Sequence, residues 1–525
     1  MKQLVLSEWL LTQLGDNKQL SQHKYHARMP NHRRVYEAIR RAITEHVLPS
    51  GARLPSTRSL ATDLNLSRNT ILAAFDQLLD EGYVAAKTGS GTYVCYKQTD
   101  VLFKITGAPF KQTENLFNHQ NTTISAQTGG NVELSKRGLA ASDSPNNHPN
   151  NHPYNHPNNH EVQPFTPGED DYSRFPIALW RRLLNRHWRA LNPALLDSSH
   201  DGGYLPLRQA IADYLRVSRA VNLNVEQVLI TSGTQQSIDL CARLLTDHND
   251  YAWVENPCYW AARRVLEVNG LHLHPIAVDA EGMAPSTADF RIKPRLIYTT
   301  PSHQYPKGIV MSYGRRRLLL DYAQNSSAWI IEDDYDSEFR FEGRPISSLQ
   351  GMDQHGRVLY LGTFSKVMYP GIRLGYMVIP PQLVDAFKNG LYELQRPGQV
   401  MIQAALADFI EEGHFASHIR RLKQVYGERR RLLQAALAPI ANVGARLSMT
   451  DSGLHLVVEF DAEIDDVNIA ELASQQGLRV YPLSNYCMGE QREKGLIIGY
   501  AYAATENITQ YGNVLAEVIQ SALKN

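Results

Sequence analysis

Near the start of the chain, hydrophobic positions recur at the spacing of a helix. Tyr36, Ile39, Ile43 and Val47 share one face of a first predicted helix, because residues three and four apart lie on the same side of a helix. Pro49-Ser50-Gly51 then ends this helix, since proline and glycine both disfavour its continuation.

Two more short helices follow at turn spacing. The second begins after Pro55-Ser56, and the third begins after Ser67, whose hydroxyl can accept an unpaired N–H of the first helical turn. Gly82 is a natural end for the third helix. The positions that we expect to be buried in these two helices are Leu60, Leu64, Ile71, Phe75 and Leu78.

A glycine-rich hairpin comes next. The β-prone runs Tyr83-Val84 and Thr92-Tyr93-Val94 flank Gly89-Ser90-Gly91. Short helices at turn spacing followed by a hairpin are typical of a winged helix-turn-helix, in which the later helix enters the major groove by its N-terminal residues. The same residues also fit a small helical domain that binds no DNA.

The winged-helix interpretation assigns DNA contacts to two elements. The start of the third helix would reach base edges, and the hairpin would touch the backbone or the minor groove. The predicted DNA-binding residues are Arg58 near the phosphates, Ser67, Arg68, Asn69 and Thr70 on the third helix, and Lys87 and Ser90 on the hairpin.

The stretch that follows has little periodicity. It contains His148, His152, His156 and His160 at four-residue spacing among Asn and Pro. Histidine-rich tracts can bind metal, but Asn and Pro fix no geometry for a site, so the favoured interpretation is a flexible spacer. We therefore divide the chain into an extension, a winged helix-turn-helix domain, a linker and a C-terminal domain, at residues 1–29, 30–96, 97–163 and 164–525.

The C-terminal region alternates helical and strand patterns, and chemistry-bearing residues follow its strands. Lys366 comes after the strand pattern Tyr360-Leu361-Gly362 and is the predicted Schiff-base residue for pyridoxal phosphate, PLP. Ser365 and Arg373 suit the phosphate of that cofactor, because arginine offers a fixed fork of donors. Thr363, in the same loop, is a further predicted neighbour of the cofactor.

A second strand end offers an acid for the pyridine nitrogen. The buried pattern Trp329-Ile330-Ile331 runs into Asp333, which we assign to the ring nitrogen because an adjacent anion favours its protonated form. Tyr335 lies two residues further on, on the same side of an extended chain, and is expected at the ring hydroxyl.

A third strand end offers an anion cup. The strand pattern Val228-Leu229-Ile230 leads into Gly233, Thr234 and Gln235, which open a helix whose N-terminal N–H groups can hold a phosphate. Tyr259 is the candidate for stacking on the ring. Each feature alone is common in proteins, but their order on successive strand ends favours a PLP site.

Composition narrows the class of protein. The chain is 43% hydrophobic and 20% charged with zero formal net charge, which fits a globular protein and leaves DNA binding open, since a local basic patch suffices. Four cysteines show no CxxC spacing, so neither disulfides nor a metal site is expected. We find no signal peptide and no apolar run of about 18 residues, so we expect a cytoplasmic protein without membrane contact.

Several segments resemble known families. Those resembling the GntR family of bacterial regulators include Leu54-Pro55-Ser56-Thr57-Arg58 and Leu66-Ser67-Arg68-Asn69-Thr70. Those resembling fold-type I aminotransferases include Thr231 to Gln236, Ile331 to Phe339 and Gly362 to Lys366. The combination resembles the MocR subfamily. It implies a multidomain protein with an α/β winged helix-turn-helix and an α/β fold-type I aminotransferase-like domain, assembled as a domain-swapped homodimer.

The chain departs from this pattern in its arginines. Subfamily members that handle amino acids place an arginine near the C-terminal strand to grip a carboxylate, whereas the corresponding stretch here is Ile498-Gly499-Tyr500-Ala501-Tyr502. A second such position holds Ala261, and Arg263 and Arg264 are out of register. Without a fixed cation an α-amino acid would be held poorly, which favours PLP itself or an amine of another shape as the signal.

We predict a PLP-dependent transcription regulator that binds operator DNA and senses a small-molecule effector, which is PLP, an amine or an amino acid. One alternative is an active aminotransferase that carries a DNA-binding domain. Another is a DNA-binding protein whose PLP fold is inactive. The presence of Lys366, Asp333 and Arg373 disfavours the alternative of an inactive PLP fold.

Overall fold

The computed structural model describes residues 31–44, 47–49, 51–80, 83–87, 91–94, 162–189, 192–196, 201–342, 347–395, 398–448, 450–461, 463–490 and 492–524. The chain forms two compact units, one N-terminal and one C-terminal. The predicted extension and the histidine run of the predicted linker lie outside the described residues, as do Gly82, Gly89 and Ser90.

Within its described residues, the N-terminal unit contains three helices followed by a hairpin. Its elements are α1 Asn31–Thr44, α2 Thr57–Asp63, α3 Arg68–Asp80, β1 Val84–Lys87 and β2 Gly91–Val94. Ser56 caps α2 by accepting the Ser59 N–H at 3.1 Å, and Ser67 caps α3 by accepting the Thr70 N–H at 3.1 Å. The two strands pair antiparallel, so the predicted order of helices and hairpin is confirmed.

One core holds this unit together. Eight of the nine predicted core positions of the three helices are buried in it, namely Tyr36, Ile39, Ile43, Leu60, Leu64, Ile71, Phe75 and Leu78. The prediction for Val47 is wrong, because α1 ends at Thr44 and the Val47 side chain, beyond that end, is 42% exposed.

The segment that precedes α2 runs beside β2 and hydrogen-bonds to it. Leu54 N–H donates to the Thr92 carbonyl at 2.8 Å, and Val94 N–H donates to the Ala52 carbonyl at 2.9 Å. These bonds tie the hairpin to the helical core, which is the arrangement of a winged helix-turn-helix.

The C-terminal unit alternates helices and strands. Its helices are α4 Ile177–Arg189, α5 Leu205–Ser218, α6 Thr234–Leu245, α7 Trp260–Val268, α8 Tyr313–Ser326, α9 Leu349–Met352, α10 Val384–Leu394, α11 Val400–Glu411, α12 His414–Leu437, α13 Asp466–Gln475 and α14 Ile508–Lys524. Its strands are β3 Val228–Thr231, β4 Tyr251–Asn256, β5 His272–Asp279, β6 Gly282–Met283, β7 Leu296–Thr299, β8 Trp329–Asp334, β9 Val358–Thr363, β10 Gly375–Val378, β11 Arg446–Leu447, β12 His455–Phe460, β13 Tyr481–Pro482 and β14 Lys494–Gly499.

Eight strands form a mixed sheet in the order β3-β10-β9-β8-β7-β4-β5-β6. Neighbours from β9 to β5 pair parallel, whereas β10 runs antiparallel to both β3 and β9. Strands β3, β8 and β9 therefore point the same way, and their carboxyl ends lie along one edge. Ligands of open α/β sheets bind at that edge.

Helices cover both faces of this sheet, so strands β3, β7, β8 and β10 are buried along their length. Ile330 of β8 belongs to the same hydrophobic cluster as Leu319 of α8, and Ile331 belongs to the cluster of Ile238 of α6. Since side chains alternate along a strand, Asp333 is directed to the α6 side. The alternation of side chains along β8 therefore places Asp333 on the same face of the sheet as α6, whose start is the predicted anion cup.

A second, smaller sheet has four antiparallel strands in the order β11-β12-β14-β13. Its first long strand begins at His455, and β13 begins at Tyr481. Over the described part of the chain, no helix has the length and apolar character that crossing a membrane requires.

Candidate functional site

A cavity of about 440 Å³ lies at the carboxyl ends of β3, β8 and β9. Every residue that the sequence predicts to contact the cofactor lines it. These residues are Gly233, Thr234, Gln235, Tyr259, Asp333, Tyr335, Thr363, Ser365, Lys366 and Arg373. The sequence pattern therefore identified one place in the fold, although the residues span 141 positions from Gly233 to Arg373.

Lys366 occupies the turn that follows β9. The turn is fixed because Phe364 and Val367 are buried on either side of it. Its ammonium group donates to the Gly168 carbonyl at 2.6 Å and lies 3.9 Å from Asp170 Oδ2. The side chain is 25% exposed, so the amine sits at the boundary between protein and cavity.

Asp170 is a buried carboxylate beside this amine. Neither of its oxygens has a hydrogen-bond partner among the described residues. Burial raises its pKa to about 7, and the positive charge of Lys366 opposes that rise. An anion placed this way holds the ammonium group near the cavity.

Asp333 is the acid of the site. Its Oδ2 accepts the Tyr298 hydroxyl at 2.7 Å, whereas its Oδ1 is buried with no partner in the described part of the chain. Burial raises the pKa of Asp333 to about 7, and the hydrogen bond from Tyr298 opposes that rise. A cationic N–H donor placed next to Oδ1 would satisfy it and favour the ionised form.

Tyr335 belongs to a buried network. His303 Nδ1 lies 2.9 Å from the Tyr335 hydroxyl oxygen and 3.0 Å from Asp336 Oδ2. A proton on Nδ1 donates to Asp336 Oδ2, because a carboxylate oxygen accepts hydrogen bonds. With that proton in place Nδ1 cannot accept from Tyr335, so the hydroxyl proton of Tyr335 stays available to donate into the cavity.

The predicted anion cup lies at the start of α6. Gly233 precedes the helix with a φ of 125°, a conformation that favours glycine. Thr234 and Gln235 form the first turn, whose N–H groups have no partner within the helix. Gly375 of β10 allows this close packing, because a Cβ there would lie 2.9 Å from the Gly233 Cα.

Arg373 faces the same end of the cavity. It follows a short turn of 3-10 helix with a φ of 49°. Within the described residues, its guanidinium group makes no hydrogen bond or ion pair, and it lines the cavity with Ser365. A cation, a hydroxyl and a helix N-terminus at one end of a cavity suit a phosphate group.

Residues that the sequence interpretation missed line the rest of the cavity. They include Gly168, Glu169, Tyr298, Tyr305, His455 and Tyr481. Tyr298 follows the rule that identified Asp333, since it lies at the end of a buried strand. The others belong to irregular segments or to the small sheet, and nothing in the local pattern indicates that they approach Lys366.

These residues fit PLP. The orphaned Asp333 Oδ1 matches a protonated ring nitrogen, and the cup with Arg373 matches a phosphate. Lys366 supplies the only primary amine that lines the cavity among the described residues. For metals the structure gives no comparable site, because no group of three His, Cys, Asp or Glu side chains in the described residues is arranged to hold one.

Of the predicted DNA-binding residues that the structure describes, Arg58 lies on α2, Ser67 to Thr70 lie at the start of α3, and Lys87 lies on the hairpin. Arg58, Arg68 and Asn69 are exposed. Ser67 and Thr70 are engaged with each other, since their hydroxyl oxygens are 2.8 Å apart. Lys87 ends β1, and Ser90 lies outside the described residues. Arg68 and Asn69 are therefore the side chains of this helix end that remain available to bases.

Comparison with known proteins agrees with both units. Residues 31–94 match the family model "Bacterial regulatory proteins, gntR family", and residues 170–496 match "Aminotransferase class I and II". The probable rhizopine catabolism regulatory protein MocR of Rhizobium meliloti is 37% identical, over 90% of this chain and 91% of that protein. The HTH-type pyridoxine biosynthesis transcriptional regulator PdxR of Corynebacterium glutamicum is 31% identical, over 88% and 90%.

Among solved structures, a kynurenine aminotransferase of Pyrococcus horikoshii in complex with PMP superposes with a TM-score of 0.64. It is 26% identical, and the match covers 69% of this chain and 92% of that one. The structural match covers about two thirds of this chain, whereas the matches to the two regulators cover 90% and 88% of it. The chain therefore belongs to the MocR subfamily of the gntR family of bacterial regulatory proteins, transcription regulators that carry an aminotransferase class I and II domain.

Proposed function

We propose that this regulator binds operator DNA through its winged helix and binds PLP in the cavity, and that occupancy of the cavity changes its affinity for DNA. The observation that carries the proposal is the convergence of Lys366, Asp333 and Arg373 on one cavity in a chain that also has a winged helix. We assign DNA binding to residues 30–96 and PLP binding to residues 164–525, with residues 97–163 as the linker between them. We also propose a domain-swapped homodimer.

The cofactor, when bound, supplies an aldehyde that amines capture and a ring that withdraws electrons. Lys366 would hold it covalently, and Asp333 would keep a proton on the ring nitrogen. Arg373, Ser365 and the start of α6 would hold the phosphate. Tyr335 would donate its hydroxyl proton, which is not donated to His303, to the oxygen on the cofactor ring.

Three more residues would complete the contact. Tyr259 lines the same cavity as the acid and would stack on the ring, while Thr363 and Gln235 would add polar contacts near the phosphate. Tyr259 is held in place because its ring packs edge-to-face on Tyr305 at 5.6 Å between centroids. A ring fixed in this way keeps a planar ligand in one orientation.

The entry segment, residues 162–170, connects the cavity to the chain that leads from the DNA-binding unit. Its Pro164 carbonyl accepts the Arg479 N–H at 2.9 Å, and its Phe165 carbonyl accepts the Gly499 N–H at 2.9 Å. Its Gly168 carbonyl accepts from Lys366. Once the Lys366 amine is engaged by the cofactor it no longer donates there, so occupancy acts directly on this segment.

Regulation also requires that the ligand prefer one of two DNA-binding states. The test is operator affinity, measured by fluorescence anisotropy for the protein with PLP, for the protein stripped of PLP, and for Lys366→Ala in the presence of PLP. We expect the first to differ from the other two. Identical affinities in all three would exclude PLP as the effector.

Cofactor binding has its own test. We expect the purified protein to gain a visible absorption band with PLP, and borohydride reduction to leave a mass adduct on Lys366. Absence of both the band and the adduct would overturn the assignment of the cavity.

A further inference from the structure

We infer that the effector recognised beside the cofactor is a primary amine that carries no carboxylate group. The inference rests on the proposed function, because it concerns the part of the cavity that the cofactor residues leave open. We call this part the effector wall; it consists of Glu169, Trp260, Tyr305, His455 and Tyr481.

The effector wall contains no cation. The two cations that line the cavity, among the described residues, are Lys366 and Arg373, and both have roles toward the cofactor. A carboxylate that entered this space would lose its hydration without gaining a cationic partner, which is strongly unfavourable.

Four other arginines of the C-terminal unit are engaged with other groups. Arg429 donates to Asp171 Oδ2 at 2.7 Å, and Arg430 donates to Asp451 Oδ1 at 3.1 Å. Arg263 donates to the Tyr486 carbonyl at 3.3 Å. Arg479 lies over the Tyr481 ring, 5.9 Å from its centroid, and does not line the cavity. None of these four guanidinium groups is placed to bind a ligand in the cavity.

The effector wall instead offers groups that bind cations and hydroxyls. Glu169 places a carboxylate at the cavity, where it attracts a positive charge. Tyr305 contributes an aromatic ring to the lining, and aromatic faces attract ammonium groups. An amine with a second ammonium or with a hydroxyl group would therefore find partners where a carboxylate would find none.

His455 adds a hydrogen-bond acceptor. Its Nε2 lies 2.7 Å from the Pro306 carbonyl oxygen, and a carbonyl can only accept, so Nε2 carries the proton. Burial and the neighbouring His303 lower the pKa of His455 to about 3, so the ring stays neutral. Its Nδ1 is then an acceptor on a ring that lines the cavity, suited to a hydroxyl or ammonium donor.

Matched pairs of small amines test the inference on the full-length protein loaded with PLP. Ethanolamine and glycine share a two-carbon skeleton and differ in a hydroxyl against a carboxylate. Putrescine and γ-aminobutyrate share a four-carbon skeleton and differ in an ammonium against a carboxylate. We expect calorimetric titration to give, in at least one pair, a dissociation constant at least tenfold lower for the member without a carboxylate. The pair that shows it tells whether the hydroxyl or the second ammonium is recognised.

A conservative variant locates the site. Glu169→Gln keeps an acceptor for the Tyr172 hydroxyl, which donates to Glu169 at 3.1 Å, so the fold is expected to persist. We expect it to weaken binding of the preferred cationic amine about tenfold and to leave glycine unchanged. Glu463→Gln, which removes an exposed carboxylate outside the cavity, is the matched control and should have no effect.

Three results would overturn the inference: glycine and γ-aminobutyrate each binding as tightly as its partner, none of the four amines binding the loaded protein, or Glu169→Gln binding all of them like the wild type. Each leaves the proposed cofactor site intact, because loading is verified beforehand by the mass adduct on Lys366. If no adduct forms, the proposed function itself has failed.

Discussion

Replacing Asp333 by asparagine should change protein stability and cofactor binding in opposite directions. Asparagine keeps the shape of the side chain and an oxygen to accept the Tyr298 hydroxyl, which Asp333 accepts at 2.7 Å. It removes only the charge and the proton that the carboxyl group can bind. The change in stability and the change in PLP binding therefore both follow from the ionisation of the Asp333 carboxyl group.

The effect on the cofactor-free protein follows from the pKa. Burial raises the pKa of Asp333 from 3.8 to about 7. Between these pH values the folded protein holds a proton that the unfolded chain has released, so the free energy of unfolding falls as the pH rises. The loss is complete above pH 7 and amounts to at most about 4 kcal/mol. Asp333→Asn escapes this loss, so the cofactor-free variant should be more stable than the wild type at pH 8 and nearly equal to it at pH 4.

The effect on PLP has the opposite sign. A hydrogen bond between an ionised carboxylate and a cationic N–H contributes about 1.5–3 kcal/mol. Its loss should weaken PLP binding about 10- to 100-fold, since 1.4 kcal/mol corresponds to a factor of ten. Urea denaturation of stripped protein at pH 4 and pH 8 gives the first quantity, and titration of the visible band gives the second.

The adjacent residue provides a control. Asp334 points to the other face of β8 and is paired with Arg219 at 2.8 Å, with both side chains buried. Asp334→Asn would leave that guanidinium without its anion, which should cost about 3 kcal/mol of stability at pH 8. If Asp333→Asn behaved like this control, or bound PLP as well as the wild type, the assignment of Asp333 to the ring nitrogen would be refuted.

Three further predictions concern other parts of the chain. Arg68→Ala should weaken operator binding about tenfold or more without changing the melting temperature, because the side chain is exposed; anisotropy at several salt concentrations measures this, and unchanged affinity contradicts the contact. Ser67→Ala should cost α3 about 1 kcal/mol by removing its cap, seen as faster amide exchange at its start; unchanged exchange would argue against the cap. Gly453→Ala should destabilise the protein by about 3 kcal/mol, since its Cβ would clash with the His303 ring. Gly444→Ala, at a similar φ with open space around it, should cost only about 1–2 kcal/mol in urea denaturation, and equal losses would show that the clash is absent.

The cofactor half of the cavity could be predicted because each residue is tied to a local pattern. Asp333 follows a buried run of apolar residues, and Gly233 stands between a strand and a helix. In a sheet whose strands point the same way, such ends meet at one edge. Order along the sequence was therefore enough to bring together residues far apart in the chain.

The effector wall could not be predicted in this way. Glu169 comes from an irregular segment, and His455 and Tyr481 are the first residues of two strands in a separate sheet. Their approach to Lys366 depends on how the small sheet packs on the large one, which no local pattern encodes. Val47 failed for a related reason: the helical spacing continues past Thr44, but the helix does not.

The charged groups that line the cavity bear on whether the C-terminal unit senses a ligand or turns over a substrate as an aminotransferase does. An aminotransferase must hold its substrate by a second anchor so that the reacting bond stays aligned, and a carboxylate bound by arginine supplies that anchor. Under the proposed function both cations that line the cavity, Lys366 and Arg373, act on the cofactor, and the carbonyl that accepts from Lys366 without the cofactor belongs to the entry segment. The Lys366 amine would therefore exchange the Gly168 carbonyl for the cofactor when the cavity fills. Binding energy gained at the cavity would then favour one of two states of that segment, which is the condition for coupling a ligand to DNA.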